Sequence, residues 1–428
     1  MRMSKFSVIL LSFLLCFPPA RATELPVSFN FVGAGYGHGV GMSQIGARGQ
    51  ALEGKSATDI LKYYYKDVTV EPIKDDQLIR VNIGHLLSNF SLKTDTKLAT
   101  VELFNGEIGN ATDVVADKVI PAKVSINFSL LGNSIVPNLL YANGRLVTLT
   151  KGKSWTLRWR GEGAVASTKI GMTTTKYRYG QIQIKLVKAP LVGYRIEATN
   201  TLRLHDEYLW GIGEVPSSWP MAALQAQVIA SRTYALSKVG KMRAACDCEL
   251  YSISQDQNFV GYSKEIEPRW GMIWKQAVNS TSADSQTGLA VLYKSLPIAT
   301  YFFSSSAGVS VPAQDVWGKL VPYISSVSDP WSMDPVLNPR YFHWERGVDA
   351  STVADAFGLS DVASLEIVSR NVSQTVAKIV ATSSSGVHNE LSGEAFRSKV
   401  KLPSAWFDFS PTPLSSANPV PSSSATPS

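Results

Sequence analysis

The chain has 428 residues, 45% of them hydrophobic, and a formal net charge of +7. That length and apolar fraction allow two or more packed units, and its basic residues are scattered rather than clustered, which argues against a nucleic-acid partner. Three cysteines are too few for a disulfide framework, so the core must be held by burial.

At the N-terminus, Arg2 and Lys5 precede the apolar run Val8-Ile9-Leu10-Leu11-Ser12-Phe13-Leu14-Leu15, then Pro18-Pro19 and Ala20-Arg21-Ala22. This reads as a secretory signal peptide over residues 1–22, cleaved after Ala22. The run is too short for a membrane anchor, and Phe13-Leu14-Leu15 lacks the small residue expected before a lipid-modified Cys16. Cleavage removes Arg2, Lys5 and Arg21 and no acid, so the charge falls from +7 to +4 and only Cys246 and Cys248 remain. No later stretch is long enough to span a bilayer, and the expected location is secreted or cell envelope.

Residues 23–71 open with a strand around Phe29-Asn30-Phe31-Val32, pass a glycine-rich turn and enter a helix-like stretch over 43–65. Between 78 and 200 apolar and polar residues alternate, as in Leu78-Ile79-Arg80-Val81-Asn82-Ile83 and Gln181-Ile182-Gln183-Ile184-Lys185-Leu186, the period of half-buried antiparallel strands. Residues 221–238 are Ala-rich and apolar at helical spacing, with Pro220 at the first position and Ser217 or Ser218 as candidate cap. A second helix is expected over 274–286, stopped by Gly288, with strands over 289–293 and 298–303. Residues 411–428 are so rich in Pro, Ser, Thr and Ala that they cannot offset their ordering entropy and are expected to be disordered. The fold class is therefore α+β: an antiparallel β-rich core, an Ala-rich helix carrying the site, and an additional β-rich unit.

Two segments carry chemistry. Gly35-Tyr36-Gly37-His38-Gly39-Val40-Gly41-Met42-Ser43-Gln44 flanks the first histidine with glycines, which permit positive φ and close backbone approach, so His38 is expected on a bare, exposed turn; the plainer alternative is a tight turn whose histidine is incidental. The second runs Glu214-Val215-Pro216-Ser217-Ser218-Trp219-Pro220 into Ala223-Leu224-Gln225-Ala226-Gln227, then Ala230-Ser231-Arg232-Thr233-Tyr234-Ala235. With Asp256-Gln257-Asn258-Phe259-Val260-Gly261, Tyr301 through Ser304-Ser305-Ser306-Ala307-Gly308, Val316-Trp317-Gly318, Pro322-Tyr323-Ile324 and Phe396-Arg397, it resembles the stage II sporulation protein D/LytB amidase-enhancer family over roughly 30–70 and 175–409.

Against that family's usual order the histidine segment stands first instead of last, so the chain looks circularly permuted, which surface termini lying close together make tolerable. Residues 72–174 have no counterpart and are read as an inserted or additional β-rich unit before a main domain over 175–410. Some relatives bind zinc through a His and two Cys. Here no His lies between Arg232 and Asp256, so Cys246-Asp247-Cys248 is read as a small strained disulfide or a thiol pair, and no metal or other cofactor is expected.

The resemblance implies an exported protein acting on peptidoglycan glycan strands. Its sporulation members are lytic transglycosylases, in which one Glu is first acid and then base. Glu214, beside Val215, Pro216 and Trp219, is the candidate, because an apolar setting raises a carboxyl's pKa; the alternative is a partner for the helix dipole. Asp206 and Glu207 rank lower. Candidate substrate-binding residues are His38, Ser43, Gln44, Arg232, Tyr234, Ser305 and Ser306, where Arg232 and Tyr234 could equally pack and pair, and the serines could equally form a polar turn. The competing functions are a non-catalytic enhancer of a cell-wall amidase, which would then be a partner, and a structural envelope protein that uses residues 72–174 to bind a partner.

Overall fold

The computed structural model describes residues 25–410, so the expected signal peptide and Pro/Ser-rich tail lie outside the described residues. The fold is α+β. The alternating segments pair antiparallel in two sheets that share one buried core, and the short strand Leu250–Tyr251 joins the second sheet in parallel beside Leu78–Leu87. One has six strands, with Asn89–Thr94 between Ser125–Leu131 and Ala166–Ile170; the other has seven, with Gly193–Arg203 between Leu78–Leu87 and Gln181–Ala189. Phe90, Leu92, Ile126 and Phe128 from the first meet Ile79, Val81, Leu157 and Ile182 from the second in that core. Strand Thr173–Tyr177 crosses the expected division at 174/175, and Leu78–Leu87 pairs directly with Gly193–Arg203, so the pairing does not break where the resemblance does.

The helix Met221–Leu236 is buried at every residue from Ala226 to Ala235. Leu224, Val228, Tyr234 and Ala235 pack into the sandwich core, while Ala226, Ile229 and Ala230 pack with Ile60, Leu61, Val291 and Phe303 in a second core. A helix enclosed on both sides needs small residues rather than one apolar stripe, which explains its alanines. Pro220 is itself the N-cap and no side chain caps the helix; Ser217 Oγ donates instead to Glu267 at 2.6 Å.

Other expected elements shift at their ends. The stretch 43–65 is two helices, Gln44–Leu52 and Ala57–Tyr64, because Ser56 and Asp59 form a capping box that starts the second. The helix expected over 274–286 is Gly271–Ser280, and Gly288 lies in strand Thr287–Tyr293, where a Cβ would stand 2.5 Å from Arg232 Nε. Over 298–303 only Phe302–Phe303 is strand, parallel to Met42–Ser43. The two ends of the described chain meet, with Ser28–Gly33 pairing with both Trp344–Asp349 and Phe407–Phe409. No helix among the described residues is long and apolar enough to cross a membrane.

A fully buried ion pair ties the loop after strand Thr69–Lys74 to the central helix. Arg232 Nε lies 2.7 Å from Asp75 Oδ2, and His205 Nδ1 lies 2.6 Å from Asp75 Oδ1. Replacing Asp75 by Asn strands the guanidinium in the core and is expected to cost about 3–5 kcal/mol. Asp76→Asn, which removes only a half-buried partner of exposed Lys74, should cost about 0–1 kcal/mol. Urea unfolding of both variants checks this, and equal losses would contradict it.

Candidate active site

Four consecutive odd-numbered positions, Gly35, Gly37, Gly39 and Gly41, have φ of 80, 110, 81 and 85°. The backbone between them is bound into distant segments: Gly35 N–H donates to Tyr341 O at 2.7 Å, Tyr36 N–H to Ser305 O at 2.8 Å, Gly37 N–H to Pro403 O at 2.9 Å and Met42 N–H to Tyr301 O at 3.0 Å. This brings the N-terminal segment to the turn at Glu214, the neighbourhood that a permuted order requires. His38, Gln44, Glu214, Tyr234, Asp256 and Tyr301 all line one cavity of about 540 Å³, with Trp317, Glu394 and Arg397 also on its wall.

Glu214 is placed by a short antiparallel contact. Gly213 N–H donates to Asn258 O at 2.8 Å, Asn258 Nδ2 returns a bond to Gly213 O at 2.8 Å, and Asn258 N–H donates to Glu214 Oε1 at 2.6 Å. Burial raises the Glu214 carboxyl above its ordinary value, opposed by that N–H and by the Gln44 side chain. The setting differs from the one expected, since Pro216 is exposed, and neither it nor Trp219 lines the cavity; Trp219 packs on the core and beside Arg48.

Three carboxylates face the cavity and two are already committed. Asp256 accepts from both terminal nitrogens of Arg243 at 2.8 Å, from Tyr234 Oη at 2.8 Å and from Tyr251 N–H at 2.8 Å. Glu394 pairs with Arg397 through two contacts, at 2.8 and 2.9 Å. Glu214 alone of the three has no cationic partner among the described residues. A half-buried carboxyl with a raised pKa and no counter-charge holds its proton more readily than an exposed one, which suits a group that must give a proton and take one back.

His38 is half-buried rather than bare, with its ring 5.3 Å from Trp317 and 6.0 Å from Phe303. Its glycine neighbours are closely packed, Gly37 against Phe303 and Gly39 against Val311 and Trp406, so the turn is pressed inward. Burial and the nearby Arg397 charge push its pKa down to about 4. Nδ1 accepts from Val40 N–H at 2.9 Å, which leaves the proton of the neutral ring on Nε2.

The remaining residues expected to bind substrate divide. Gln44 and Tyr234 line the cavity, and burial followed by the Asp256 charge raises the Tyr234 phenol. Arg232 is spent on Asp75, Thr281 and Leu289 O in the core, where burial lowers its pKa to about 10. Ser43 caps helix Gln44–Leu52 by accepting from Gly46 N–H at 3.0 Å, and its Oγ lies 3.1 Å from Ser332 Oγ. Ser306 Oγ donates to buried Asp329 at 2.7 Å, as does Ser332 Oγ at 2.6 Å, and Ser305 is buried, its Oγ without a partner among the described residues. Arg232, Ser43, Ser305 and Ser306 therefore build the wall rather than face the cavity; the serine that lines it is Ser304. Asp256, Trp317 and Arg397 do face it, and although each sits in a recognisable sequence segment, nothing local marks it as a site residue. Cys246 and Cys248 form a disulfide and so offer no thiolate to a metal.

Residues 193–286, which hold Glu214, Tyr234 and Asp256, match the family model SpoIID, described as stage II sporulation protein. The chain is 28% identical over 187 residues to stage II sporulation protein D of Bacillus subtilis (strain 168), covering 42% of this chain and 53% of that protein. It is also 28% identical over 212 residues to stage II sporulation protein D of Bacillus amyloliquefaciens, covering 48% and 59% respectively. To the amidase enhancer of Bacillus subtilis (strain 168) it is 30% identical over 124 residues, which is 29% of this chain and 15% of that protein. The chain thus spans little more than half the length of its stage II sporulation protein D relatives. No solved structure matches significantly.

The His38 ring should stay neutral through pH 6–8 in an NMR titration, in line with its pKa of about 4. Because that value lies below the unfolded one, His38 costs no stability above the unfolded pKa of about 6.5 and subtracts from stability as the pH falls from there towards 4. A ring that titrates near 6.5 would contradict its burial.

Proposed function

We propose that this chain is an exported, cell-envelope protein that cleaves peptidoglycan glycan strands as a lytic transglycosylase, with Glu214 as general acid and then general base. The observation that carries this reading is the state of Glu214: half-buried, raised in pKa and free of any cation in a cavity whose other two carboxylates are paired. The protonated carboxyl gives its proton to the glycosidic oxygen as the bond to C1 of the muramoyl sugar breaks. The carboxylate so formed takes a proton from that sugar's C6 hydroxyl, whose oxygen bonds to C1 and closes an anhydro ring. The carboxyl ends as it began and no water is consumed, so a second catalytic carboxylate is not needed. The neutral His38, with its proton on Nε2, is suited to donate a hydrogen bond to an oxygen that gains charge.

A second reading, a non-catalytic enhancer that binds peptidoglycan and stimulates an amidase, is favoured by the likeness to an amidase enhancer. Glu214→Gln separates the two. Gln keeps the acceptor for Asn258 N–H but cannot exchange a proton, so cleavage should fall by at least about 10²–10⁴-fold. Stability moves the other way. A raised carboxyl pKa penalises the ionised form as the pH rises through the folded value, so the neutral Gln should match or exceed Glu in stability at pH 7–8. If Glu214 only served the helix dipole, the exchange would cost about 0.3–1 kcal/mol and leave cleavage intact. Glycan cleavage at the parent rate by the variant would remove the catalytic assignment, and a parent that cleaves nothing yet accelerates an added amidase would establish the enhancer.

A further inference from the structure

Trp317 ends the short helix Ala313–Trp317, where Gly318, at φ 67°, turns the chain away. It is 43% exposed, and its indole N–H has no hydrogen-bond partner among the described residues. An indole this exposed keeps both an apolar face and its N–H donor available to a ligand. The ring stands 4.6 Å from Tyr301 and 5.3 Å from His38, so it is fixed against the cavity that holds Glu214.

Trp317 and Tyr301 also line a second cavity of about 470 Å³, completed by Lys319, Leu320, Pro322 and Tyr323. The two cavities therefore lie side by side, with Trp317 and Tyr301 as their shared wall. Leu320 is 70% exposed and belongs to the second cavity alone, and Lys319 makes no ion pair or hydrogen bond among the described residues. An aromatic face, an apolar floor and unspent donors together match a pyranose ring, which has an apolar C–H face and a rim of hydroxyls.

Resting on the glycan-cleaving reading of the Glu214 cavity, we propose that the second cavity is a sugar subsite of the same cleft, holding the next residue of the glycan strand on Trp317. The cleft then binds more of the strand than the two sugars that flank the broken bond.

The test uses peptide-free glycan fragments of two lengths, a disaccharide that holds only the two sugars flanking the broken bond and an octasaccharide, with three proteins spanning residues 23–428: the parent, Trp317→Ala, and Leu320→Glu, which blocks the second cavity without touching the first. Both variants should raise KM for the octasaccharide by about three- to tenfold more than for the disaccharide, and Trp317→Phe should recover part of the difference. Equal effects at both lengths would overturn the subsite. Binding is followed separately by the NMR signal of the Trp317 indole N–H in Glu214→Gln protein, where the octasaccharide should shift it more than the disaccharide. If that shift occurs but the parent cleaves nothing, the subsite stands and the catalytic reading falls. If the parent cleaves but the indole is silent and the KM ratios match, the reverse holds. No binding by either glycan overturns both.

Discussion

The site depends on how closely the backbone of residues 35–41 can lie against segments from elsewhere in the chain. At Gly35 a Cβ would stand 2.8 Å from Ser305 O, and at Gly41 it would stand 2.0 Å from Tyr301 O, with φ positive at both. No side chain fits there, so the alternation of glycines is a steric requirement before it is a functional one. The contact carries His38 and Gln44 to the wall of a cavity that also holds Glu214, 176 residues after His38. Pairing of Ser28–Gly33 with Phe407–Phe409 closes the chain behind it. These contacts, not the continuity of the chain, hold the neighbours together.

Around that contact, charge is distributed with economy. The central helix is enclosed by two cores, and the one guanidinium it carries is neutralised internally by Asp75. Asp329 is satisfied by Ser306, Ser332 and Tyr64, and Asp256 by Arg243, Tyr234 and a backbone N–H. Each of these carboxylates has at least two partners and braces the structure around the cavity. Glu214 differs in receiving only neutral donors, Asn258 N–H and the Gln44 amide, which is why burial prevails and its pKa rises instead of falling.

Much of this was legible in the sequence, because period-two alternation and an Ala-rich run depend on local pattern. The two main sheets and the central helix follow from it. Helix ends were less legible. Pro220 caps by conformation rather than by side chain, and Gly288, which looks like a helix stop, is a glycine because Arg232 packs over it. At the site, sequence marked Glu214, His38, Gln44 and Tyr234, all of which line the cavity. It could not separate them from Arg232, Ser43, Ser305 and Ser306, since a polar residue in a recognisable segment looks the same whether it faces the cavity or braces the wall. Asp256, Trp317 and Arg397 reach the cavity only through long-range packing, for which one chain's sequence holds no local signal.

The central claim is that the cavity breaks a glycosidic bond by intramolecular ring closure. The most direct measurement is mass spectrometry of the soluble products after the purified parent protein is incubated with intact and with peptide-free glycan. Ring closure predicts new muramoyl ends in the anhydro form, each lighter by one water than a hydrolytic end. Products with ordinary reducing ends, or no soluble glycan from either substrate, would contradict it.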